Sequence, residues 1–311
     1  MTSTAFLFPG QGSQSLGMLS ALAEEFPQVR ETFNCASNVL GYDLWEICQH
    51  GPIERLNQTE VTQPAMLSAG IATWRAWKSI GGFDPDYLAG HSLGEFSALV
   101  AAGSLDFEET VALVAKRGQL MQSATPPGAG AMAAVLGLED ELLSNLCEQA
   151  AQGEIVSCAN YNSPGQIVIA GDKSAVDRAC ELAREAGARR AIALAVSAPS
   201  HCALMRPAAE QLAVELNAAG FSPGRIPILH NVDAQVHTEE NEVREALVLQ
   251  LWQPVRWSAT IQGLISLGVT HFAECGPGKV LSGLNRRISR DISSSALLSR
   301  NDLSLLLETW S

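Results

Sequence analysis

The chain has 311 residues, 47% hydrophobic and 17% charged, with a formal net charge of −13 at pH 7. That composition belongs to a packed globule rather than a disordered chain, and the acidity excludes the basic footprint that nucleic acid requires. The length exceeds a single hydrophobic core, so one large domain and a smaller one are expected.

An apolar run at 5–8 predicts a first strand, and helical spacing predicts helices over 16–26 and 65–79. A second strand is expected at 87–89, followed by helices over 94–102 and 107–122. Strands alternating with helices argue for an α/β layer with a largely parallel sheet. Two prolines and two glycines in ATPPGAG, residues 124–130, then break the pattern.

Beyond that break the chain has another rhythm. Strands are expected at 131–137, 154–160, 166–170 and 189–196, with helices over 139–149 and 174–186. That is the β-α-β-β-α-β order of a ferredoxin-like unit. The first rhythm resumes with a helix over 203–217, a strand at 226–229, a helix over 242–251, a strand at 270–273 and a helix over 279–288. The expected fold is a large α/β-hydrolase-like domain, residues 1–125 and 199–311, interrupted by a ferredoxin-like subdomain, residues 126–198. The cleft between them is the default site.

Seven scattered cysteines without a C-x-x-C pair argue for a reducing compartment. The N-terminal apolar run is too short for a signal peptide, and no segment reaches the ~20 apolar residues of a membrane span. The expectation is a cytoplasmic protein with no membrane partner.

Gly90-His91-Ser92-Leu93-Gly94 has the G-x-S-x-G spacing of a nucleophile elbow, between an expected strand and an expected helix. An ordinary serine cap in a tight turn is the alternative. A serine nucleophile needs a base. Of six histidines, His91 is adjacent in a tight turn and is expected to point elsewhere. His50 and His237 fall in polar loops, while His230 and His271 fall at strand edges. His201 follows the insert and opens a helix, which would project it into the cleft. No acid stands out to orient it, so either that acid is hidden or a backbone carbonyl does the orienting.

FLFPGQGSQ, residues 6–14, runs a strand into Gly10-Gln11-Gly12 but places Ser15 where a dinucleotide loop needs its third glycine. It can serve as an oxyanion site or as a plain strand–helix turn. Arg117 lies with Val114 and Met121 on the apolar stripe of its helix, with no acid in that segment nearer than Glu109. Its partner is an internal ion pair, solvent at the end of a snorkelling chain, or a substrate carboxylate. ECGPGKV, residues 274–280, lacks the phosphate-loop frame and is expected to be a strand–helix turn facing the cleft. No His/Cys cluster has ligand spacing, so no metal is expected.

Taken together, FPGQGSQ, GHSLGE, KRG, NSPGQIVIAG, PSHCALM, HNVDA and GPGKVL resemble, in order and over nearly the whole chain, the malonyl-CoA:acyl-carrier-protein transacylases of bacterial fatty acid synthesis. The resemblance implies Ser92 as the acylated nucleophile, His201 as its base, and the backbone N–H groups of Gln11 and Leu93 as the oxyanion hole. It implies Arg117 as the grip on the malonyl carboxylate and the Gln250 backbone carbonyl as the group orienting the histidine. It implies malonyl-CoA and acyl carrier protein as partners, with coenzyme A thioester as substrate and no cofactor. Arg189, Arg190, Arg286 and Arg287 are candidates for carrier docking. Two positions depart from the related pattern. Ser200 precedes the histidine where malonyl-preferring polyketide acyltransferases carry a bulky aromatic, and His230 stands where the family often has Asn. The alternatives are a serine thioesterase or esterase on the same elbow, a trans-acting acyltransferase for polyketide carriers, and a non-catalytic carrier scaffold.

Overall fold

The computed structural model describes residues 3–194 and 198–310. Its strands are β1 (Ser3–Phe8), β2 (Tyr87–Gly90), β3 (Gly130–Leu136), β4 (Val156–Ser163), β5 (Gln166–Asp172), β6 (Arg190–Ala193), β7 (Ile228–Leu229), β8 (Val269–Glu274) and β9 (Ser293–Ala296). They form two sheets. One is parallel throughout, in the order β7-β2-β1-β8-β9, and the other is antiparallel, in the order β4-β5-β3-β6.

A strand covered on both faces should read as a continuous apolar run, and β1 does. Successive side chains alternate between two cores. Phe6 and Phe8 pack with Trp74 and Trp77 on one face, while Ala5 and Leu7 pack with Trp257 and Phe272 on the other. The antiparallel sheet has its own core, in which Val135, Ile167 and Ile169 meet Leu143 and Val176. Its strand order is that of the ferredoxin-like unit expected from the sequence. Residues 195–196, at the end of the expected last strand of that unit, lie outside the described residues.

Helices at Pro27–Leu40, Leu44–His50, Ile53–Leu56, Trp257–Ser266 and Arg300–Trp310 were not expected, and two of the expected helices near the site differ in extent. The expected helix over 16–26 is restricted to Ser20–Glu25, because Gly17 and Leu19 take positive φ and hold residues 16–19 in turns. The helix expected from residue 65 begins at Thr59 and runs 21 residues to Ser79 with Pro64 inside it. It crosses the helix Phe107–Ser123 closely enough that a Cβ on Gly118 would sit 2.6 Å from Glu60 Cα. This contact places Gln63 beside Arg117.

Candidate active site

The elbow glycines answer to sterics. A Cβ on Gly90 would lie 1.9 Å from the Gly94 carbonyl carbon, and one on Gly94 would lie 2.0 Å from the Phe8 carbonyl oxygen. Strand β2 therefore turns directly into the helix Gly94–Ala102, and Ser92 at the apex takes φ 51, the left-handed region. Gly10 is required in the same way, since a Cβ there would meet the His91 carbonyl oxygen at 2.3 Å.

Ser92 Oγ lies 2.8 Å from His201 Nε2, and His201 Nδ1 donates to the Gln250 carbonyl at 2.6 Å. The helix Glu240–Trp252 leaves that carbonyl free for a local reason. Its helical donor would be residue 254, which is Pro254 and has no N–H. The next carbonyl, Leu251, accepts from His201 N at 3.1 Å. Two carbonyls at one helix end thus seat the ring and backbone of a histidine that also has positive φ, 63. Burial pushes the His201 ring down to about 3, assisted by the charge of Arg117 and opposed by the Gln250 carbonyl. The imidazole is neutral at pH 7 and able to accept the Ser92 proton.

Arg117 is 1% exposed. Its Nη1 donates to Gln63 Oε1 at 2.7 Å and its Nη2 to Gln250 Oε1 at 2.8 Å, with Ser92 Oγ 3.4 Å from the same Nη2. The guanidinium stacks 5.5 Å from the Phe96 ring centroid, and its Nε has no partner among the described residues. No carboxylate among the described residues forms an ion pair with it. Burial lowers its pKa to about 10, partly offset by Glu95, so it remains charged. Both internal alternatives from the sequence fall away, because the side chain neither snorkels to solvent nor forms a salt bridge.

Ser92, His201 and Arg117 line one cavity of about 220 Å³, together with Gln11 and Leu93. The N–H groups of Gln11 and Leu93 have no hydrogen-bond partner among the described residues. Met132 and Val168 of the antiparallel sheet complete the wall, so the cavity lies between the two sheets, in the expected cleft.

Three expectations need correction. His91 does not point away: it lines the cavity, with Nε2 2.8 Å from Asn162 Oδ1 and its ring against Trp257. Burial holds it below the ordinary histidine range. The turn after β8 is absent from the cavity wall. A Cβ on Gly276 there would meet the Pro9 ring at 2.9 Å, and Glu274 accepts from Leu281 N and Ser282 N at the head of the next helix. It supports the loop at 9–13 from behind. Finally, Arg189, Arg190 and Arg287 line one groove, where Arg287 bonds Gln166, but Arg286 donates instead to the Ser294 carbonyl.

Sequence reasoning missed Gln63, Glu95 and Asn231. Gln63 lies between Thr62 and Pro64, ahead of the apolar run, where the sequence suggests no helix. Glu95 and Asn231 meet only through the fold.

The acyl transferase domain family matches residues 5–301. A malonyl CoA-acyl carrier protein transacylase of Haemophilus influenzae is 55% identical over 304 residues, covering 97% of this chain and 96% of that protein. The crystal structure of an acyl carrier protein S-malonyltransferase from Vibrio cholerae is 52% identical with a TM-score of 0.96, covering 98% of this chain and 100% of that one. A malonyl-transacylase solved in complex with its type II polyketide acyl-carrier protein is 51% identical with a TM-score of 0.97, covering 99% of each chain.

Proposed function

We infer that this chain, which belongs to the acyl transferase domain family, moves the malonyl group from malonyl-CoA to the phosphopantetheine thiol of an acyl carrier protein in fatty acid biosynthesis. The observation that carries the acyl specificity is Arg117, a buried cation with no ion-pair partner among the described residues, 3.4 Å from the Ser92 oxygen.

His201 Nε2 takes the Ser92 proton as Oγ attacks the thioester carbonyl. The resulting oxyanion is held by the N–H groups of Gln11 and Leu93. Collapse expels the coenzyme A thiolate, which takes the proton from His201 and leaves a malonyl ester on Ser92. The carrier thiol then gives its proton to His201 and attacks the ester, and Ser92 leaves with that proton. Throughout, Arg117 pairs with the free malonyl carboxylate. Every bond change falls on Ser92, His201 and the two thiols, so the mechanism calls for no cofactor.

The Gln250 carbonyl does what an acid does in a triad, fixing the tautomer that leaves Nε2 free to accept. Carrier docking is assigned to the groove of Arg189, Arg190 and Arg287, where three cations beside one acid, Glu139, would meet an acidic carrier on a chain of net charge −13. Seven cysteines, none in a disulfide, fit a cytoplasmic setting, and no described helix is long and apolar enough to cross a membrane.

Incubation with malonyl-CoA followed by peptide mass spectrometry tests the reading. A malonyl ester on the Ser92 peptide, absent from Ser92→Ala and discharged by holo carrier protein, is expected. Discharge to water at the same rate with and without carrier would place the chain with the thioesterases instead.

A further inference from the structure

Ser92, at φ 51, holds a left-handed backbone conformation that is strained for a non-glycine residue and persists only where its surroundings over-determine it. Its peptide groups are gripped by side chains from outside the elbow. Ser92 N donates to Asn231 Oδ1 at 2.7 Å, and the Ser92 carbonyl accepts from Gln250 Nε2 at 2.9 Å. Asn231 Nδ2 also donates to the Gly90 carbonyl at 2.7 Å, so the turn is held on both sides of its apex.

Both grips converge on one atom. Glu95 Oε2 accepts from Asn231 N at 3.1 Å and from Gln250 Nε2 at 3.0 Å. Its other oxygen, Oε1, takes a 2.5 Å bond from His230 Nδ1. Glu95, His230, Asn231 and Gln250 are each fully buried, so the arrangement cannot exchange partners with water. Glu95 sits on the first turn after the elbow, three residues from Ser92. The result is a closed ring running from the nucleophile's peptide through two amides to one carboxylate and back along the chain.

We propose that Glu95 and Asn231 are positioning residues for acyl transfer, with Glu95 fixing Asn231 and Gln250 so that they aim the Ser92 oxygen at His201. Neither touches substrate. The proposal rests on the acyltransferase function, and deepens it by saying what keeps the nucleophile in place. The carboxylate is suited to this because it offers lone pairs to several donors at once, where an amide oxygen offers fewer. His230 supplies a donor to the oxygen that the amides leave free, so both carboxylate oxygens are held.

The test is single-turnover acylation with malonyl-CoA, which separates amplitude (the fraction of competent enzyme) from the rate constant at each competent site. A displacement of the reacting oxygen by an ångström costs about 10²-fold. Asn231→Ala and Glu95→Ala are therefore expected to slow the rate constant by about ten- to a hundred-fold, with half-saturating malonyl-CoA unchanged. The double variant is expected to be no slower than the slower single one, because the two act through one chain of contacts. Glu95→Gln keeps an acceptor oxygen for both donors, and His230 can present its other tautomer, so it should recover most of the Glu95→Ala loss.

Reduced amplitude or thermal stability with a wild-type rate constant would overturn the proposal and make the ring a purely structural feature, as would multiplicative effects in the double variant. If Glu95→Ala does not fold, Asn231→Ala carries the same rate-against-amplitude comparison. Failure of the acyltransferase function itself would show separately, as no malonyl ester on the wild-type enzyme.

Discussion

Replacing Arg117 with alanine tests the acyl specificity and the tuning of the base together. The guanidinium is held by two neutral amide oxygens, at 2.7 and 2.8 Å, and by no carboxylate among the described residues. Under the proposed function the malonyl carboxylate pairs with this cation. Removing one partner of a buried ion pair costs about 3–5 kcal/mol, and each 1.4 kcal/mol is tenfold, so kcat/KM for malonyl-CoA should fall by about 10²–10³ or more. Acetyl-CoA brings no carboxylate to lose, so its transfer should change far less and the malonyl-to-acetyl ratio should collapse by a similar factor. Arg117→Lys should recover only part of it, since an ammonium cannot make two parallel bonds. A second effect has the same origin. Arg117 is among the groups that push His201 down to about 3, so its removal raises the histidine toward its ordinary value of 6.5. The acid limb of acetyl transfer, where no substrate carboxylate complicates the charge, should move to higher pH in Arg117→Ala. The assay is kcat/KM for both thioesters between pH 4 and 8. An unchanged malonyl-to-acetyl ratio would refute the clamp, and a limb that moved down would refute the electrostatics.

His201→Gln should slow acylation by roughly 10²–10⁴, the usual cost of losing a general base, as read by single-turnover labelling. The same substitution should also flatten the stability profile in acid. The folded histidine resists protonation until about pH 3 while the unfolded one accepts a proton near 6.5, so the wild type loses stability as pH falls between those values, at up to about 1.4 kcal/mol per pH unit. Denaturant melts at pH 7 and pH 5 should show the smaller loss in the variant. Charge reversal at Arg189, Arg190 and Arg287 together should raise KM for the carrier protein and leave KM for malonyl-CoA alone. Equal effects on both would remove the groove from carrier docking.

The parts of this site legible in the sequence are those whose cause is local. Gly90 is set by backbone overlap with Gly94 and Glu95, within a few residues of chain, the G-x-S-x-G spacing carries Gly94 with it although its own overlap is with Phe8, and the helix carrying Arg117 shows its apolar stripe in eight residues. The group that orients His201 is a carbonyl, so no acid marks it, yet its signal is also local. Pro254 stands four residues beyond Gln250 and frees that carbonyl, a pattern that can be read from LQLWQP. The start of the helix at Thr59 is hidden for the opposite reason, since Pro64 has the look of a boundary and lies inside the helix. Gln63 is hidden with it. Glu95 and Asn231 have no such signal. They are 136 positions apart, and only the placement of β7 beside β2 brings the residues following each strand together.

The choice of partners for Arg117 explains how one side chain can serve both specificity and rate. A carboxylate of the protein beside the guanidinium would stabilise it, but it would also compete with a substrate carboxylate for the same donors. Gln63 and Gln250 orient the fork without neutralising it, and the buried acid Glu95 is set back behind Gln250. The charge, only partly offset by Glu95, is then felt by His201, whose affinity for a proton it lowers. Under the proposed function, the carboxylate of bound malonyl-CoA neutralises that charge, and the histidine becomes a better base as the thioester arrives beside Ser92. An acetyl group fills the cavity without this change and meets a weaker base. Discrimination by the clamp is therefore expressed in the acylation step as well as in binding, which is where an enzyme gains from interactions that strengthen toward the transition state.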